Sequence, residues 1–113
     1  MIHSLKLQAS PFAKIQAGTK TVEIRLYDEK RKLLTVGDEV EFSLMTDPDQ
    51  KILTVITELV PFKSFAELFQ AFPPESLGVE TAGDWDEMYT YYTKEQEREY
   101  GVLGICIKLS KKE

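Results

Sequence analysis

The sequence predicts an α+β domain in which short strands form a small barrel or a mixed sheet, with about three helices set between them. Three observations predict it. Several segments alternate apolar and polar residues with the period of a strand. Between them lie stretches whose apolar residues recur at helical spacing behind a capping residue. The 113 residues, 42% of them hydrophobic, suffice for one ordinary core and show no repeats or linkers to divide it. Residues 1–110 are therefore expected to form a single domain, with 111–113 as a charged tail.

Residues 1–8 alternate, with Leu5 and Leu7 on one face and Ser4 and Lys6 on the other. Ser10-Pro11 reads as an N-cap and a proline at the first helical position. Phe12, Ile15 and Gln16 follow at helical spacing, and Gly18 closes the helix. Residues 20–27 form a second strand. Val22, Ile24 and Leu26 point one way; Thr21, Glu23, Arg25 and Tyr27 point the other. Residues 28–32 are a charged turn. Val36-Gly37-Asp38 is another, its aspartate suited to a local bond from side chain to backbone. Residues 39–44 alternate again, with Val40, Phe42 and Leu44 inward.

Asp47-Pro48-Asp49 signals a turn. Residues 51–60 are apolar on both faces, which predicts a strand packed on two sides. Ser64 and Glu67 form a capping box, followed by Phe65, Leu68, Phe69 and Phe72 on one helical face. Pro73-Pro74 ends that helix, and residues 75–83 read as loop. Asp84 and Glu87 repeat the capping pattern. Trp85, Met88, Tyr89 and Tyr92 then make a stripe on a helix reaching to about Arg98. The stripe reads as core, with the Tyr92 hydroxyl able to reach a rim. Residues 101–109 form the last strand, with Leu103, Ile105, Ile107 and Leu109 on one face.

Composition narrows the function classes. The net charge of -5 argues against a protein that coats nucleic acid through bulk electrostatics. A local positive patch stays compatible with it. One histidine, His3, and one cysteine, Cys106, do not make a His/Cys zinc site or an internal disulfide. Glycine-rich nucleotide loops are missing, and no cofactor is implied. No apolar run approaches the roughly 20 residues of a membrane helix. A reducing cytoplasm is the expected location.

The run His3-Ser-Leu-Lys-Leu7, Pro11-Phe12, Ile15 and Gly18-Thr-Lys-Thr-Val-Glu-Ile-Arg25, followed by Gly37-Asp38, resembles the ASCH domain family. Residues Tyr91-Tyr92 and Tyr100-Gly-Val-Leu-Gly-Ile105 look like the ending of bacterial single-domain members. The resemblance spans nearly the whole chain and implies a PUA-like small β-barrel. It also implies a cleft beside the first helix and the 20–27 strand, and an association with RNA or nucleotide binding. One branch of short members hydrolyses acetylated cytidine.

That resemblance turns attention to the 20–27 strand. Alone, Thr21, Glu23, Arg25 and Tyr27 would be the solvated face of a half-buried strand. On a binding reading, Arg25 offers a planar fork for phosphate or a base edge, left free for ligand. Glu23 accepts from an exocyclic amine, and Tyr27 offers a stacking ring. Lys20 falls on the apolar side if the strand is regular from its first residue. A twist at Gly18-Thr19 would bring it into one cleft with Glu23 and Arg25. Lys30 and Arg31, in the densest basic cluster before the tail, are candidate phosphate contacts at the mouth. Tyr91, off the aromatic stripe, is a candidate cleft-facing ring.

The leading expectation is a module that binds RNA, a single-stranded nucleic acid or a nucleoside-like small molecule. The alternative is a hydrolase on a modified nucleoside or RNA, with Lys20 and Glu23 as catalytic groups. Hydrolases of the resembling branch carry a threonine where this chain has Glu23, and a carboxylate would have to activate water instead. Their distal acid has only Glu80 and Glu87 as the nearest counterparts. A protein-interaction module is the third possibility.

Overall fold

The computed structural model describes residues 1–110; the tail expected at 111–113 lies outside the described residues. Strand β1 (Ile2–Leu7) leads into helix α1 (Ala9–Gln16) and strand β2 (Val22–Leu26). A 3-10 turn at Arg31–Leu33 precedes β3 (Glu39–Leu44) and the long β4 (Asp47–Phe62). Helices α2 (Phe65–Ala71) and α3 (Pro74–Leu77) follow, then a 3-10 helix at Ala82–Thr90, helix α4 (Lys94–Tyr100) and β5 (Val102–Leu109).

The five strands make one sheet in the order β1-β3-β4-β5-β2, curled into a half-barrel. β1 runs parallel to β3, and the other pairs are antiparallel. The two outermost strands are therefore β1 and β2, the carriers of the resembling motif. Along β5, alternate residues serve different cores. Leu103, Ile105 and Ile107 join a cluster with α1, β1, β3 and β4. Val102 joins a second cluster with β2 and α2, built on Val22, Ile24, Leu26, Phe65, Leu68 and Phe69. Burial on both faces explains the nearly continuous apolar run of β5.

Several local expectations need correction. Residues 51–60 are not packed on two sides: Ile52, Thr54 and Ile56 are buried, Leu53 and Val55 between them are only partly so, and Lys51 and Thr57 are exposed. The register of β4 slips between Ile56 and Glu58, so its second half is displaced relative to a regular ladder. The turn before β4 falls at Met45 and Thr46, and Asp47 already pairs with Leu44. Ser10 lies inside α1, whose N-cap is Gln8.

The helix expected over residues 84–98 is two segments. Thr81 and Asp84 form the capping box of the 3-10 helix, and Thr93 with Gln96 caps α4 separately. Thr93, directly after the last residue of the aromatic stripe, is the stop-and-start signal that divides them. Residues 75–83, read as loop, contain most of α3. In the second half, the buried Glu97 accepts from the Phe65 N–H at 2.8 Å and from the Tyr89 hydroxyl at 2.7 Å. One carboxylate of α4 thus caps the start of α2 and anchors the aromatic group, which holds this wall of the molecule in place. That hydrogen bond, with burial adding to it, pushes the Tyr89 hydroxyl up to about 12.

Candidate functional site

A cleft of about 920 Å³ opens where the two outer strands of the sheet approach each other. Consecutive residues from each side line it: Lys6 and Leu7 at the end of β1 with Gln8 just after it, and Glu23, Ile24 and Arg25 on β2. Successive side chains of a strand point to opposite faces, so runs of three put the strand edges themselves against the cleft. Lys14 of α1 and Glu80, Glu87, Tyr91 and Tyr92 of the 79–92 segment complete the walls.

An edge strand carries unpaired backbone groups, and here the motif's own side chains cover them. Lys20 donates from Nζ to the Val22 carbonyl at 2.9 Å and to the Leu77 carbonyl at 3.0 Å. It also lies 3.4 Å from Glu23 Oε1. These three partners match the three protons of an ammonium. Glu23 in turn accepts from Arg25 Nε at 2.8 Å, and it forms an ion pair with Arg25 Nη2, also at 2.8 Å. Arg25 Nη2 reaches across to the Lys6 carbonyl at 3.1 Å. No backbone ladder joins β1 to β2, so this guanidinium bridges the seam. Its Nη1 is left without a partner among the described residues.

Lys20 and Glu23 are 6% and 5% exposed, a deep burial for charged groups. Burial is the largest influence on Lys20 and lowers its pKa against the pull of Glu23. Burial would also raise the Glu23 carboxyl, but the charges of Lys20 and Arg25 outweigh it and hold the group below the usual carboxylate range. Gly78, at φ 78°, ends α3 beside this pair. A Cβ there would stand 3.0 Å from Lys20 Cδ, so the glycine serves both the left-handed turn and the space Lys20 needs.

The expected site residues separate into two groups. Lys20, Glu23, Arg25 and Tyr91 line the cleft; Thr21, Tyr27, Lys30 and Arg31 do not. Lys20 does not share the side of the apolar set, because β2 begins only at Val22 and the preceding residues swing the lysine toward Glu23. Glu23 belongs to a buried face, not a solvated one. The fork of Arg25 is half-spent inside the protein. Thr21 is exposed and borders a smaller hollow behind Lys20. Tyr27 packs on the first core, with Lys32 Nζ 5.7 Å from its ring centre. Lys30 is exposed, and Arg31 lies 3.8 Å from Asp28. Lys6 and Lys14 were missed. Their signal was faint: one lysine on the polar face of β1, and one in α1 whose Nζ donates to the Gly78 carbonyl at 2.8 Å.

The ASCH domain family matches residues 5–111. The chain belongs to the ASCH domain family. Its PUA-like fold is associated with RNA binding. Among solved structures, the hypothetical protein PH0355 is 29% identical with a TM-score of 0.86, over 97% of this chain and 100% of that one. The protein PF0455 from Pyrococcus furiosus is 26% identical with a TM-score of 0.70, over 99% and 100%. The S128A mutant of ZmASCH from Zymomonas mobilis shares the fold at 13% identity, with a TM-score of 0.61 over 95% of this chain and 67% of that one. No curated protein matches the chain. Among the described residues of this ASCH protein, no helix is long and apolar enough to cross a membrane.

Proposed function

We propose that the cleft binds a nucleotide unit, free or within RNA, and that Arg25 is its principal contact. One observation carries this reading: Arg25, held by Glu23 and the Lys6 carbonyl, lines the cleft, and its Nη1 has no hydrogen-bond partner among the described residues. A guanidinium already fixed on one side loses little freedom on meeting a ligand, which favours affinity. Lys6 and Lys14 give the same wall a positive character suited to phosphate, and the ring of Tyr91, 60% exposed, stands where a base could stack. Glu80 and Glu87 also line the cleft, and their carboxylates disfavour a long polyanion.

The geometry supports binding over turnover. A catalytic base needs a lone pair within reach of substrate. The three protons of Lys20 are spent on Val22, Leu77 and Glu23, and the Glu23 carboxylate lies between two cations. The pair reads as a plug for the β2 edge.

Calorimetric titration of nucleoside 5′-monophosphates and short single-stranded RNAs into the wild-type protein and Arg25→Lys tests this. The lysine keeps the charge and loses the fork, so affinity should fall about tenfold or more. Absence of wild-type binding at high micromolar protein and low salt would refute the reading. Release of the acyl group from an acetylated nucleoside by the wild-type protein, lost in Lys20→Met, would replace it with the hydrolase.

A further inference from the structure

Two tyrosines of the 85–92 aromatic group pack on the same buried ring and use their hydroxyls differently. Tyr89 meets Phe65 edge-on, with ring centres 5.9 Å apart, and its hydroxyl is spent on Glu97. Tyr92 lies nearly parallel to Phe65, at 5.8 Å and 22°. Its hydroxyl makes no hydrogen bond among the described residues. Tyr92 nevertheless lines the cleft together with Arg25 and Glu23.

For the packing alone a phenylalanine would serve. It would make the same stack without carrying an unpaired phenol into a half-buried position. The electrostatics also fit a role in the cleft. Like any tyrosine, Tyr92 keeps its hydroxyl proton at neutral pH and can donate; burial, the largest influence on it, raises its pKa and moves it further from ionising. Among nearby charges, Arg25 and Glu23, which line the same cleft, act on it most strongly.

We propose that Tyr92 reads the ligand: its hydroxyl and Arg25 Nη1 donate together to an oxygen of the bound molecule. Such a pair of donors fits a carbonyl oxygen of a base or a phosphoryl oxygen, and it disfavours a group that offers only N–H donors. This deepens the nucleotide-binding reading and rests on it. Tyr92 is held by Phe65, a fully buried residue of α2, so the hydroxyl is positioned before ligand arrives.

The test compares Tyr92→Phe with Tyr89→Phe. The probes are a panel of nucleoside 5′-monophosphates, the matching nucleosides, and inorganic phosphate, titrated by calorimetry. Tyr92→Phe should keep its thermal midpoint and weaken binding about five- to thirty-fold, the loss of one or two units of hydrogen-bond energy. Tyr89→Phe should lower the midpoint and leave the affinity of the folded protein unchanged. A loss shared by nucleosides and nucleotides assigns the contact to a base carbonyl. A loss confined to phosphate-bearing probes assigns it to a phosphoryl oxygen. Unchanged affinity in Tyr92→Phe, with the wild type binding normally, overturns the role of Tyr92 and leaves the cleft assignment standing. If no probe binds the wild type, both fall together.

Discussion

Lys20, Glu23 and Arg25 and, a few residues on, Asp28, Glu29, Arg31 and Lys32 are two clusters of mixed charge on one stretch of chain. In the first, the charged groups are buried or nearly so, and each covers a backbone group or another charge. In the second, Lys32 and Glu29 are 49% and 86% exposed and 3.5 Å apart. Arg31 meets Asp28 only at 3.8 Å, and its Nε is buried without a partner. A surface pair contributes little, because water screens it and two long side chains must be held still. A buried group is different: removing one member leaves its partners charged and dry. Charge in a sequence therefore says little about consequence until the sheet edge beneath it is known.

The largest expected effect follows directly. Glu23→Ala leaves the buried Lys20 and the neighbouring Arg25 without the carboxylate they share, and should cost about 3–5 kcal/mol of folding stability. Glu29→Ala should change stability by no more than about 0.5 kcal/mol. Urea unfolding of both variants measures the contrast. Equal costs would mean that water reaches Glu23 far more freely than its burial implies.

Acid sharpens the same comparison. The folded Glu23 carboxyl titrates below its unfolded value of 4.5, because Lys20 and Arg25 outweigh the opposing effect of burial. Its contribution is therefore fully present above that value and is lost as pH falls through the lower, folded one. Asp38 works in the same direction, held down first by its 2.8 Å hydrogen bond with His3. Stability measured at pH 7 and stepped down to pH 3 should fall in the wild type. Glu23→Gln should begin lower and fall less, having one carboxyl fewer to protonate. Parallel curves would show that Glu23 titrates like an ordinary surface acid.

Much of this was legible before the structure. The alternation of β1, β2 and β3, the apolar run of β5, the stop at Gly18 and the cap at Ser64 are local signals, and local physics wrote them. The capping residue Thr93 is equally local, but it follows the aromatic stripe directly, and the charged residues after it continue a helical composition to about Arg98. What the strand pattern could not carry was the sheet order. Alternation puts Glu23 opposite Val22 and says nothing of what lies over it. Only the position of β2 at the sheet edge, facing β1 across a seam, makes Glu23 buried and brings Lys20 round to it. The cleft lysines Lys6 and Lys14 are distant in sequence from Arg25, and their meeting depends on the same topology.

The smallest effect belongs to Lys30. From sequence it is a natural phosphate contact, since it follows the motif strand in the densest basic run. In the fold it is exposed and outside the cleft. Lys6 has one positive charge too, and it lines the cleft wall. If a nucleotide phosphate sits there, Lys6→Ala should weaken a phosphate-bearing ligand and reduce the slope of log affinity against log salt by about 1. Lys30→Ala should leave affinity within about twofold and the slope unchanged, because a charge farther from the phosphate than the Debye length, about 8 Å in physiological salt, is largely screened. Binding titrations of a short single-stranded RNA at several salt concentrations separate the two. A flatter slope in Lys30→Ala would mean that bound RNA runs out of the cleft onto the 28–32 turn. The 28–32 cluster would then share in recognition, and its contrast with the first would hold for stability alone.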